Sequence, residues 1–120
     1  MPEEKIYDLE LRTERFSLKV RDLCRLVKHD VINKVYISQL IRSAGSVAAN
    51  YIEANDKLGE KDLRYKIRIS KKEAKESILW LKHIQPPEEQ SLLEEERKSL
   101  INEATELMKI FAAILKKLGD

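Results

Sequence analysis

The sequence predicts an all-α protein folded as an antiparallel up-down-up-down four-helix bundle, with residues 1–120 forming a single domain. Four separate segments place apolar residues at alternating spacings of three and four, which keeps them on one side of a helix. The chain has three glycines and three prolines, and most of them lie at the ends of these segments. Charged residues make up 37% of the chain and aromatic residues 6%, a composition typical of long solvated helices.

The first two helices are predicted over about residues 8–28 and 33–56. Asp8 is the expected amino-terminal cap of the first helix, Asp30 or Asn33 that of the second, and Gly59 supplies the turn that follows. The expected core positions are Leu9, Thr13, Phe16, Val20, Leu23 and Val27 in the first helix, and Ile37, Leu40, Ile41, Ala44, Val47, Ala48 and Tyr51 in the second.

The third and fourth helices are predicted over about residues 60–84 and 88–118. Pro86 and Pro87 end the third helix because proline is not accommodated in a helix interior. Ser91 and Glu94 form an expected capping box, with a start near Pro87 as the alternative. The expected core positions are Leu63, Ile67, Ser70, Ala74, Ile78 and Leu81, then Leu93, Leu100, Ala104, Leu107, Phe111, Ile114 and Leu118, with Arg97 at the one gap.

A single cysteine, Cys24, makes an intramolecular disulfide impossible, and a lone thiol fits a reducing cytoplasm. Its apolar helical surroundings predict a small buried residue rather than a reactive thiol. The amino-terminal residues lack the apolar core of a signal peptide, and no apolar run approaches the length of a membrane span. We therefore expect a cytoplasmic protein without a membrane partner.

The net charge of +2 conceals a strong asymmetry along the chain. Residues 57–82 carry nine Lys or Arg against four Asp or Glu, a net charge of +5, whereas residues 86–120 carry a net charge of −3. On a helical wheel, eight cations of the third helix fall within about 60° of one line, and Lys66 lies off it. This basic stripe consists of Lys57, Lys61, Arg64, Arg68, Lys71, Lys72, Lys75 and Lys82.

The basic stripe has three possible explanations. It is an ordinary solvated surface, it faces the acidic fourth helix, or it binds nucleic acid phosphates with release of counterions. Base-stacking aromatic residues are scarce near it, with Tyr65 the nearest in sequence. Any nucleic acid binding is therefore expected to be directed at the backbone and weakly sequence-specific.

The second helix carries a polar line at the same alternating spacing. Its small, amide and carboxylate side chains favour a structural polar seam, within the bundle or between subunits, over a catalytic role. The line consists of Gln39, Ser43, Ser46, Asn50 and Glu53.

The sequence contains none of the motifs that carry common enzyme chemistry. His29 and His83 each lack the glutamate three residues earlier that a di-iron bundle requires, and both lie near predicted helix ends. Phosphate-binding glycine loops, nucleophile elbows and zinc-ligand spacings are also missing from the sequence. Glu73 and Glu76 lie three residues apart, where a solvated or salt-bridged pair is commoner than one that shares a proton. We therefore predict a non-enzyme with no cofactor and no metal.

The segments 42–54 (RSAGSVAANYIEA) and 72–81 (KEAKESILWL), flanked by 7–13 (YDLELRT) and 103–110 (EATELMKI), resemble the bacterial four-helix-bundle family known as the 23S ribosomal RNA intervening-sequence proteins. The resemblance covers nearly the whole chain. It implies an up-down bundle that assembles as a homopentameric ring, with no established enzymatic activity. The family is similar in architecture to the accessory variability proteins of diversity-generating retroelements, which are pentameric and bind a reverse transcriptase and nucleic acid.

The resemblance also assigns recurring polar positions and two departures from the family pattern. Ala48 stands where a glycine is common, which implies slightly looser packing of the helix there. Ser70 and Lys71 stand where the family is more apolar, which implies a looser core or a larger basic face. The matching polar positions are Ser43, Ser46, Asn50, Glu53, Glu73, Glu76 and Trp80.

The leading functional hypothesis is a non-enzymatic homo-oligomer, expected to be a pentamer, that binds RNA, DNA or a nucleic-acid enzyme through the basic stripe. The alternative is a scaffold protein whose stripe pairs with the acidic fourth helix of a neighbouring subunit, without nucleic acid. A third and less favoured class is an enzyme with a carboxylate site around Glu53, Glu73 and Glu76.

Overall fold

The computed structural model describes residues 2–56, 58–85 and 91–119, with side chains from Leu9 onward. Four helices follow one another: α1 (Pro2–Leu26), α2 (Val31–Asn55), α3 (Glu60–His83) and α4 (Ser91–Lys117). Each helix packs on the next in the chain, and α1 also packs, less extensively, on α4. This arrangement closes a four-helix bundle and confirms the predicted all-α fold over the described residues.

The helix ends show which capping predictions hold. The Asp30 carboxylate accepts a hydrogen bond of 2.8 Å from the amide of Asn33, so Asp30 caps α2. The amide of the buried Asn33 side chain in turn donates to the carbonyls of Lys28 and Gln85, at 2.9 and 3.0 Å. Asn33 therefore ties the connection between α1 and α2 to the end of α3. Gly59 precedes α3 with φ 139°, a conformation that favours glycine.

Two capping predictions are wrong. The helix α1 begins at Pro2, so the backbone of Asp8 lies inside it rather than at its start. Ser91 is already part of α4, and the carboxylate of Glu94 binds Arg97 instead of completing a capping box. The alternative start near Pro87 falls in residues 86–90, outside the described residues.

The core follows the predicted stripes with one clear exception. All six core positions predicted for the first helix are buried, including Val27 just after the end of α1, as are most of those on the other helices. Ile41 is 46% exposed, because it lies about 100° around α2 from the fully buried Leu40 and beyond the edge of the packed arc. Arg97 occupies the gap in the α4 stripe, where it donates to the carbonyls of Leu81 and Lys82 and so satisfies the carboxyl end of α3.

Two further predictions concern single residues. Cys24 is buried, as predicted, and burial raises the pKa of its thiol to about 11. Ser70 is fully buried but its hydroxyl donates to the carbonyl of Val47 at 3.1 Å, so it leaves no unpaired polar group in the core.

Over their described residues, none of the four helices combines the length and apolarity that a bilayer-spanning segment requires.

Candidate nucleic-acid interface

The basic stripe runs along the outer side of α3, opposite the residues that enter the core. Lys57 lies outside the described residues. Within the part of the chain that the structure describes, the exposed lysines of the stripe form no ion pair, so their charges are not neutralised there. The exposed members are Lys61, Arg68, Lys71, Lys72, Lys75 and Lys82.

Arg64 differs from the rest of the stripe because it is only partly exposed. One terminal nitrogen of its guanidinium lies 3.3 Å from the Glu60 carboxylate and donates to the carbonyl of Leu118 at 2.9 Å. A cation at the carboxyl end of a helix is favoured by the exposed carbonyls there. Arg64 therefore joins α3 to the end of α4, and its positive charge is partly neutralised by acceptors within the chain.

Some acidic residues of α4 also form ion pairs within the chain. Arg12 of α1 donates two hydrogen bonds, of 2.7 and 2.8 Å, to the carboxylate of Glu103. Arg97 binds Glu94 and lowers the pKa of that carboxyl. Of the acidic residues described in α4, this leaves Glu95, Glu96 and Glu106 for a neighbouring molecule.

Two members of the polar line of α2, Ser43 and Glu53, contact α3, so the predicted seam lies within the bundle at these two positions. The hydroxyls of Ser43 and Ser77 lie 2.9 Å apart in a buried hydrogen bond. At the other end of the line, Lys66 donates to the Glu53 carboxylate at 2.7 Å, and this bond raises the pKa of the lysine.

The middle of the seam is satisfied within α2 itself. The Asn50 amide donates to both the backbone carbonyl and the hydroxyl of Ser46, each at 2.9 Å. Gln39, the first residue of the line, is half-buried.

Arg42 of α2 holds both glutamates of the α3 motif. Its guanidinium donates to Glu73 at 2.9 Å and to Glu76 at 2.6 Å, and these bonds raise the pKa of Arg42. Burial alone would raise the pKa of Glu76, but hydrogen bonds from Trp80 and Arg42 hold it below its ordinary value. Of the two arrangements expected for this pair, solvated or salt-bridged, the structure shows the salt-bridged one, with a single arginine as the partner.

Three aromatic rings gather where α2 begins and α3 ends. Tyr36 of α2 stacks on Trp80 with ring centres 5.9 Å apart, and His83 meets both rings edge-on, at 5.3 Å from Tyr36 and 5.9 Å from Trp80. Tyr36 and His83 line an open cavity of about 420 Å³. The cavity is also lined by Asp30, Ile32, Asn33, Lys82 and Gln85.

The carboxylates of the less favoured enzyme hypothesis do not share one site. Glu53 binds Lys66, whereas Glu73 and Glu76 bind Arg42. Over the described residues, no three His, Cys, Asp or Glu side chains gather in a way that could hold a metal ion. Both histidines bind helix carbonyls, His29 that of Cys24 and His83 that of Leu79, as their positions near helix ends predict.

Sequence reasoning missed Arg42, Tyr36 and Asn33. Arg42 is the first residue of the segment 42–54, but nothing in the sequence indicates that it binds residues on α3. Tyr36 is separated from Trp80 by most of two helices, so no local pattern could bring the two rings together. The sequence offers one signal for the buried role of Asn33, namely a polar residue at a position of the apolar repeat. The sequence analysis predicts Asn33 only as a cap.

Comparison with known proteins agrees with this architecture. The model of the 23S rRNA-intervening sequence protein family matches residues 8–113. A crystal structure of a protein of unknown function from the S23 ribosomal protein family of Bacteroides thetaiotaomicron is 25% identical, with a TM-score of 0.72, and the match covers 90% of this chain and 98% of that chain. No curated protein matches. Because the family model matches most of this chain, the chain belongs to the 23S rRNA-intervening sequence protein family.

Proposed function

We propose that this protein is a non-enzymatic, oligomeric helical bundle that binds RNA or another nucleic acid, free or in a nucleoprotein, through the basic stripe of α3. The observation that carries the proposal is the row of exposed lysines without ion-pair partners among the described residues. From Lys61 to Lys82 the row extends about 30 Å along the helix, at 1.5 Å per residue. A row of that length can contact several phosphates, each of which releases counterions.

The name of the family refers to an intervening sequence of 23S rRNA, which accords with an RNA partner. Lysine side chains contact phosphates without reading bases, so the affinity is expected to depend on charge more than on sequence. The reducing cytoplasm is the proposed compartment, since a lone reduced thiol such as Cys24 is stable there.

Charge reversal of exposed stripe lysines tests the proposal. The triple variant K71E/K75E/K82E avoids Arg64, whose hydrogen bond to the carbonyl of Leu118 holds α3 against the end of α4. Fluorescence anisotropy with a labelled single-stranded RNA should show weaker binding, and the dependence of log affinity on log salt should flatten by about two, at about 0.7 per lost contact.

The matched control reverses three exposed lysines on the other helices, Lys19, Lys98 and Lys109. It makes the same change in net charge, so a loss confined to the stripe variant locates the surface. If both triple variants bind equally well, the stripe is the wrong surface. If the wild-type protein binds neither RNA nor DNA at low salt, the proposal is wrong.

The proposed oligomer draws support from the outer face of α2. Val31, Val35 and Ile52 are 82%, 58% and 45% exposed on a helix that carries only three charged residues. An apolar outer face of this kind is typical of a surface covered by another subunit. The resemblance leads us to expect five subunits, and light scattering with absolute mass determination checks both association and number.

The second candidate is a scaffold in which the stripe of one subunit binds α4 of the next. It is favoured by Glu95, Glu96 and Glu106 of α4, which have no partners among the residues that the structure describes. This arrangement predicts that the oligomer dissociates in high salt and in the K71E/K75E/K82E variant. An oligomer whose mass is unchanged in both cases would leave the stripe available to nucleic acid and exclude the scaffold.

A further inference from the structure

The aromatic cluster of Tyr36, Trp80 and His83 lies at one end of the basic stripe, and the cavity beside the cluster shares one residue with the stripe. Lys82 is a member of the stripe and lines the same cavity as Tyr36 and His83. The cavity therefore places aromatic ring surface beside an exposed cation that has no partner among the described residues. Aromatic rings and cations side by side are what proteins use to hold single-stranded nucleic acid, with bases on the rings and phosphates on the cations.

We propose that this cavity is a base-stacking subsite, in which Tyr36 and His83 receive a nucleobase of a single strand whose phosphates follow the basic stripe. The inference rests on the nucleic-acid binding proposed above and adds to it the kind of ligand, a single strand with an unstacked base. It also adds a base contact to the backbone-directed, weakly sequence-specific binding that the sequence leads us to expect.

The size and chemistry of the cavity fit that occupant. Its volume of about 420 Å³ lies within the range of small-ligand sites, and it is open to solvent on one side, as a base on a strand requires. Asp30 uses its carboxylate to cap α2 and still has acceptor capacity for an exocyclic amino group. His83 donates from Nδ1 to the carbonyl of Leu79, which leaves Nε2 as the ring nitrogen available to a base.

The polar motif of α3 holds the subsite in place. The same carboxylate oxygen of Glu76 accepts hydrogen bonds from Arg42 at 2.6 Å and from the indole nitrogen of Trp80 at 3.1 Å. Trp80 in turn stacks on Tyr36. This chain of contacts fixes the ring of Tyr36 before a ligand arrives, which reduces the entropy lost on binding. Glu76 and Trp80 are therefore positioning residues for the stacking surface.

The experiment compares a polyanion with bases and one without. The probes are a labelled single-stranded oligoadenylate of about ten nucleotides, a length within the usual range of single-strand sites, and inorganic polyphosphate as its competitor. In the variant Y36L, affinity for oligoadenylate should fall about 5- to 100-fold, the loss of roughly one stacked base, while affinity for polyphosphate should change less than about twofold.

Three further variants make the result specific. Y36F keeps the ring and should bind like the wild-type protein. Y65L removes an exposed tyrosine of α3 that does not line the cavity and should also leave binding unchanged. H83L alters an exposed residue, so it tests the same cavity should Y36L fail to fold, and it should again weaken binding of oligoadenylate alone.

The outcomes separate this inference from the proposed function. If K71E/K75E/K82E loses oligoadenylate binding while Y36L and H83L bind normally, the stripe binds nucleic acid and the stacking subsite is refuted. An equal loss of oligoadenylate and polyphosphate in Y36L also refutes it, because the effect would not involve a base. If the wild-type protein binds neither probe at low salt, the proposed function fails and the subsite fails with it.

Discussion

Replacement of Arg42 by methionine should destabilise the bundle by about 2 kcal/mol at neutral pH. The variant R42M keeps an unbranched side chain but removes the hydrogen bonds to Glu73 and Glu76, at 2.9 and 2.6 Å. The side chain of Glu73 is only 11% exposed, so its charge is left in a poorly solvated position beside a second carboxylate.

The magnitude lies between two limits set by burial. Removal of one partner from a fully buried ion pair costs about 3 to 5 kcal/mol, whereas an exposed pair is worth about 1 kcal/mol or less. Half of the Arg42 side chain is exposed, which places the loss near 2 kcal/mol. For a domain of this size, about 4 °C per kcal/mol gives a fall in Tm of about 8 °C.

The effect should depend on pH in a defined direction. The pKa of Glu76 is lowered in the folded protein from its ordinary value of 4.5. Its ionised form is therefore favoured by folding, and the stabilisation is fully present above 4.5 and is lost as the pH falls through the lower folded pKa. Because Arg42 supplies part of that stabilisation, the difference between wild type and R42M should narrow below pH 4.5.

Urea unfolding followed by far-UV circular dichroism, at matched protein concentration, measures these differences. The control R25M removes an exposed arginine of α1 that lies 3.9 Å from Asp22, and it should change stability by less than about 0.5 kcal/mol. A free energy of unfolding for R42M equal to that of R25M at pH 7 would refute the reasoning. So would a difference from wild type that stays constant as the pH is lowered.

Other substitutions test the backbone and the core. G59A should lose about 1 to 3 kcal/mol in urea unfolding because its φ of 139° is a conformation that side chains disfavour, and a neutral result would contradict this. G45A should instead gain about 0.5 to 1 kcal/mol, since a methyl group in the middle of α2 meets nothing closer than 4.0 Å; a loss would show that the helices cannot accept it. S43A and S77A should each cost about 1 kcal/mol and together less than the sum, because the two hydroxyls bind each other; additive losses would mean that they act independently. With a pKa raised to about 11 by burial, the Cys24 thiol should react with a disulfide reagent at neutral pH only after urea unfolds the protein, and rapid labelling of the folded protein would contradict its burial.

The secondary structure was predictable because its signal is local. Each helix repeats its buried side chains within its own segment, so the core positions from Leu9 to Val27 and from Leu93 to Phe111 could be assigned without knowledge of any neighbour. The errors fell at the ends, at Asp8 and Ser91, where a cap residue is chosen by backbone geometry and not by periodicity.

The candidate site was predictable only in part. The wheel placed the basic stripe on the outer face of α3, and the exposed lysines of the described residues agree with that position. It could not show that Arg64 binds the carbonyl of Leu118, because Leu118 follows α4 and lies 54 residues away in sequence. The polar line of α2 was recognised, but its partner Ser77 on α3 was not.

By itself, the sequence determined four amphipathic helices, their order and the face of each that enters the core. This was possible because each segment repeats its apolar residues with the 3.6-residue period of a helix. Only the tertiary structure decided which charged side chains form ion pairs with other helices and which form none among the described residues. It paired Glu103 with Arg12 and joined Glu73 and Glu76 through Arg42. It also brought Tyr36 to the end of the basic stripe. These contacts join different helices, whose mutual rotation is set by packing of the whole core.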